Sequence, residues 1–124
     1  YGSISYAGML SYAYAQMDKD DPRVKAVITW LGDNFTLNEN PNMGLQGLYY
    51  YYFLMTKALT IHGMNHVTVN GKKIDWRRDL SMKMMTLQKQ DGSWQNTNSR
   101  WMETEKPLVT AYGIITMSYI HNGL

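Results

Sequence analysis

The chain has 124 residues, no cysteine, and 12 Lys and Arg against 10 Asp and Glu, which fits one domain or less. Hydrophobic residues make up 44% and charged residues 18%, enough apolar material for a core and too little charge for a disordered tail. No basic run exceeds a pair (Lys72-Lys73, Arg77-Arg78), no apolar run suits a transmembrane segment, and no thiol is present; nucleic acid as a partner, a membrane span, a disulfide scaffold and a Cys-ligated metal are thereby excluded for this stretch.

Tyr1 to Met17 carries no charged side chain, and a helix without a polar face is expected to be buried. The first residue is Tyr, so the stretch is read as a processed product or a fragment. Asp18 to Asp21 break the apolar run, and Asp21-Pro22 predicts an N-cap followed by proline in the first helical turn. In the second helix Val24, Val27, Ile28 and Leu31 form a single apolar stripe opposite Lys25, Thr29 and Asp33. An Asn- and Gly-rich loop, Asn34 to Gly44, leads to a third helix, again of the buried kind, in which Lys57 is the one charge and Gly63 the stop. A small β-hairpin is predicted near 67–74, turning on Asn70-Gly71, as an insertion. Asp75 caps a fourth helix whose Trp76, Leu80, Met84 and Leu87 make one stripe, with Arg77, Arg78, Ser81 and Lys89 outward. Pro107 opens a last, uncharged helix that stops at Asn122-Gly123.

Uncharged and amphipathic helices therefore alternate, and the three uncharged ones superpose in sequence: Ser5, Tyr50 and Thr110 align, as do Ala13, Ala58 and Ser118. Two helices per unit at this spacing predict a helical-hairpin repeat array with uncharged helices in an inner layer and amphipathic helices in an outer one.

Gln88-Lys89-Gln90-Asp91-Gly92-Ser93-Trp94 follows the outer helix that ends in Leu87, and Thr110-Ala111 opens the next inner helix. This resembles the QW repeat of squalene-hopene cyclases and oxidosqualene cyclases and, more loosely, of protein prenyltransferase β subunits. The corresponding place in the first repeat, Trp30 to Phe35, lacks both the Gln and the Gly-x-Trp. The resemblance implies an all-α fold, an α/α toroid with a cavity lined by the inner ring, in which Gln88 and Trp94 are structural ties between outer helices and not catalysts. Residues 1–124 then form a single partial domain, an arc of about two and a half hairpins. Such an arc is expected to be part of a larger toroid, completed by the remaining repeats of a parent chain or by self-association.

Class II terpenoid cyclases protonate an alkene with an acid from an Asp-x-Asp-Asp motif. Asp18-Lys19-Asp20-Asp21 spells it, but at the start of an outer helix, where helix capping is the expected role. The slots before the inner helices hold Lys106, Leu108 and Val109, or Tyr1, Ser3 and Ile4, or Gln46, Leu48 and Tyr49, none of them acidic. No catalytic residue is therefore assigned. His62 and His66 have a metal-pair spacing interrupted by Gly63, and neither a metal nor a cofactor is assigned. The tyrosines of the inner helices, with Trp101 and Glu103 on the loop entering the last one, are the candidate binding residues: Tyr6, Tyr50, Tyr51, Trp101, Glu103 and Tyr112. Aromatic faces there suit cation-π stabilisation, stacking on a planar ligand or sugar, or inner-ring packing. The resemblance implies a tyrosine-lined apolar cavity for an isoprenoid; the alternative is a non-catalytic toroid module for a glycan, a peptide or a partner domain.

Overall fold

Helix boundaries fall where the capping chemistry of the chain puts them. A computed structural model describes residues 1–123, with α1 (Gly2–Tyr14), α2 (Pro22–Asp33), α3 (Leu48–Ile61), β1 (Val67–Val69), β2 (Lys72–Ile74), α4 (Trp76–Leu87) and α5 (Lys106–Asn122). The Asp21 carboxylate accepts the Arg23 amide at 2.8 Å, and Asp75 accepts the Arg78 amide at 3.2 Å, each satisfying a first-turn N–H that has no partner inside the helix. Gly63, at φ 67°, closes α3: its amide donates to the Thr60 carbonyl and that of Met64 to the Leu59 carbonyl, the paired bonds of a Schellman end. Asn70 and Gly71 both take positive φ and turn β1 back on β2, with Val67 opposite Ile74.

The structure is mostly helical, with five helices and this one small hairpin among the described residues. The central helix α3 packs on both α1 and α5, while α2 lies against α1 and β1, and α4 against α5. Aromatic and methionine side chains fill the space between them: Tyr6, Met9, Tyr51, Tyr52, Met55, Trp76, Leu80 and Met84 are all buried. No helix among the described residues is long and apolar enough to cross a membrane.

Two expectations need correction. Only α3 is buried nearly all round; α1 and α5 bury one stripe each, Val109, Gly113, Thr116 and Ile120 in the case of α5. They flank α3 on its two sides, and the outward faces of these uncharged helices leave Ile4, Ile114 and Ile115 exposed. Arg77, expected on the outer face of α4, is buried: its guanidinium lies 4.4 Å from the Trp76 ring centroid and donates to Asn65 Oδ1 at 2.9 Å and Thr60 Oγ1 at 3.3 Å. Stacked on an aromatic face and hydrogen-bonded at its tip, the guanidinium keeps much of what it loses in water.

The segment from Gln88 to Trp94 joins two helices. The Trp94 indole N–H donates to the Met84 carbonyl of α4 at 2.9 Å, and its backbone amide to Thr110 Oγ1 of α5 at 3.2 Å. Its ring lies so close to Gly113 that a Cβ there would sit 2.5 Å from a ring carbon. Gln88 reaches across the turn to the Gly92 carbonyl at 2.9 Å, so the loop is closed by the Gln, and the Met84 carbonyl near the end of α4, which also accepts the Gln88 amide at 3.0 Å, takes a second donor from the Trp. Hydrogen bonds from the Ser93 hydroxyl and amide, with Lys106 nearby, hold the Asp91 carboxyl down to about 2 and fix the same turn.

Candidate functional site: an aromatic-walled cavity at the helix N-termini

The first turns of α1, α3 and α5 meet on one side of the molecule, and each of the loops that bring them there carries a buried polar residue. Asn40, from the loop before α3, turns back to α1: its Oδ1 accepts the Ser3 amide at 3.0 Å and its amide group donates to Ser3 Oγ at 3.3 Å and the Gln46 carbonyl at 3.0 Å. Glu103, from the loop before α5, turns back to α3. Its two oxygens accept the Tyr49 and Tyr50 amides, each at 3.0 Å, and Asn96 Nδ2 donates to it at 3.1 Å. A carboxylate here meets both the unpaired N–H groups and the positive end of the α3 dipole. Asn96 in turn donates to the Leu45 carbonyl at 2.6 Å, which ties the two loops together.

Between these loops lies a cavity of about 470 Å³. Tyr50 and Tyr112 form one wall, with ring centroids 5.8 Å apart, and Phe53 stacks behind Tyr112 at 5.9 Å. Trp101 stands at the rim, 62% exposed, and Tyr1 and Met43 add further apolar surface. Gly47 takes a φ of 63°, which suits glycine, beside the Trp101 indole. Trp101 and Met102 also have positive φ, 60° and 62°, unusual for bulky residues; the pair projects both side chains outward from a short 3-10 turn, Arg100–Met102. The Arg100 guanidinium covers Trp101 at 4.9 Å and lines a shallow outer recess, so no Lys or Arg lines the cavity.

Among the described residues, Glu103 is the only carboxyl side chain on the cavity lining. Burial raises the Tyr49 hydroxyl to about 12, with the Glu103 charge adding to it, and burial raises Tyr112 in the same direction, again with Glu103 and then Tyr50 contributing. Both phenols are therefore neutral donors at physiological pH.

Of the six tyrosine, tryptophan and glutamate residues singled out from the sequence, Tyr50, Trp101, Glu103 and Tyr112 come together in this cavity. Tyr6 and Tyr51 do not. Their rings pack 5.7 Å apart in the core; the Tyr51 hydroxyl donates to the Thr36 carbonyl at 2.8 Å, and the Tyr6 hydroxyl has no hydrogen-bond partner among the described residues. Of the four consecutive tyrosines, only Tyr50 points away from the core. Asn40 and Asn96, which build the floor, were not singled out; the one signal for Asn40 was its place before Pro41. His62 Nε2 lies 2.8 Å from the Met9 carbonyl of α1, whereas His66 is exposed, and the described residues include no group of three His, Cys, Asp or Glu able to hold a metal. Asp18 and Asp20 are exposed, at the turn into α2. Comparison with family models, curated proteins and solved structures finds no match to this chain.

Proposed function

We propose that this chain is a terpenoid-cyclase-like α/α repeat domain, an arc of an α/α toroid, that binds an apolar ligand of the isoprenoid class in the cavity beside Tyr50 and Tyr112. The observation that carries the reading is the convergence of Tyr50, Tyr112 and Trp101 on one cavity of about 470 Å³, a size and lining suited to a small molecule. Two further features support it. The helices read as inner ones, α1, α3 and α5, lie with α3 in the middle, as an inner layer requires, and Trp94 is a structural tie, though from an outer helix to an inner one, where the QW resemblance implies a tie between outer helices. The exposed uncharged faces of α1 and α5 suit further repeats or another subunit.

Glu103, the acid in the cavity, is engaged by two backbone amides and Asn96. That engagement supports binding, and not proton-initiated cyclisation, as the work of this stretch. Titration with farnesol, followed by tryptophan fluorescence, tests the proposal. Saturable quenching is expected, lost in Trp101→Phe, which removes the rim indole, and weakened in Tyr112→Ala. Binding of an oligosaccharide in place of farnesol would support the non-catalytic glycan module instead.

A further inference from the structure

The cavity pairs aromatic walls with a buried carboxylate and has no basic side chain on its lining. Glu103 is fully buried on the lining of the site, bonded to the backbone amides of Tyr49 and Tyr50. The α3 N-terminus offsets roughly half of its charge, so the net field at the cavity stays negative. That field reaches the wall, since Glu103 is one of the causes that raise the Tyr112 hydroxyl. Water screens it little, because the charge is buried. Two cations lie on aromatic rings at the edge of the site: Arg100 on Trp101, in the outer recess, and Lys57, whose Nζ sits 5.8 Å from the centroid of Phe53. Both show that the aromatic surfaces around the site take positive charge on their faces.

We propose that the ligand carries an organic cation, an alkylammonium group, held against the Tyr50 and Tyr112 faces with Glu103 as its buried counter-charge. Attraction of an ammonium to aromatic faces favours binding, and the carboxylate adds to it; an anionic head group would meet Glu103 with no basic side chain on the lining, among the described residues, to offset it. The inference rests on the cavity being the binding site but is separable from the isoprenoid reading by its test.

Three probes with one hydrocarbon chain make that test: geraniol, geranylamine and geranyl phosphate, titrated at neutral pH by calorimetry. Geranylamine is expected to bind about tenfold tighter than geraniol, equivalent to about 1.4 kcal/mol, and geranyl phosphate weakest. In Glu103→Gln the amine-to-alcohol ratio is expected to fall toward one. Should that variant lose its helical circular dichroism, Tyr50→Leu provides the second arm; Tyr50 is 40% exposed, and the loss of its ring is expected to lower the same ratio in a folded protein. Equal affinity for amine and alcohol, or tightest binding of the phosphate, would overturn the cation and leave the apolar cavity standing. No binding of any probe would overturn both.

Discussion

Trp94 ties its loop to two helices, because three of its parts act on three partners. The indole N–H meets the Met84 carbonyl, the backbone amide meets Thr110, and the ring covers Gly113. Replacing it with Phe keeps most of the ring contact and leaves the buried Met84 carbonyl without that donor. The expected loss is about 1–2 kcal/mol, read as a lower midpoint in urea with an unchanged m-value. This residue was legible from its spacing after Gln88 and Gly92. Arg77, Asn40 and Asn96 were not, for a common reason: their partners come from other segments, Asn40 bonding Ser3 and Asn96 bonding Leu45. Helical periodicity records which side of a helix is apolar; it does not record which loop returns to a distant helix end. Glu103 was singled out as a polar residue facing a cavity, and the structure adds its capping of α3, which no local motif in the chain announces.

At the scale of elements, every predicted helix and the hairpin are present, since caps and stops are local chemistry: Asp21, Gly63, Asn70-Gly71 and Asp75 each act on residues within a few positions. What the pattern could not tell was how many sides of an uncharged helix are covered. Scarcity of charge marks α1, α3 and α5 alike, yet α3 alone has two of these helices packed on it. The contact between α5 and the loop that ends at Trp94 depends on the absence of a side chain at position 113. In Gly113→Ala the new methyl would sit 2.5 Å from the Trp94 ring, which is itself pinned by two hydrogen bonds. A loss of about 1–3 kcal/mol is expected from such overpacking, despite the better helix propensity of Ala. Thermal denaturation followed at 222 nm measures it, and a rise in melting temperature would show that the ring moves aside without cost.

Across the whole molecule, the wealth of buried tyrosine predicts a sensitivity to alkali. Burial raises Tyr6, Tyr49, Tyr51 and Tyr52 above the ordinary phenol value, Tyr49 to about 12. In the unfolded chain these hydroxyls ionise near 10. Between those values the unfolded state has lost protons that the folded state keeps, so stability falls as pH rises. It is fully present below about pH 10 and is lost progressively from there through the folded-state values. Urea midpoints from pH 8 to 12, paired with phenolate absorbance, check this; a flat profile would mean that the tyrosines are less shielded than their packing shows.

The two loop residues that complete helix ends, Asn40 for α1 and Glu103 for α3, both reach backward along the chain, each from the connection that precedes the next inner helix. Dependence in this architecture consequently has a direction. Each of these two helix starts is completed only by a loop that follows it in the chain, much as each course of a corbelled wall is locked by the weight of its successor. Damage to the loop before α5 therefore travels upstream, to the start of α3 and the mouth of the cavity.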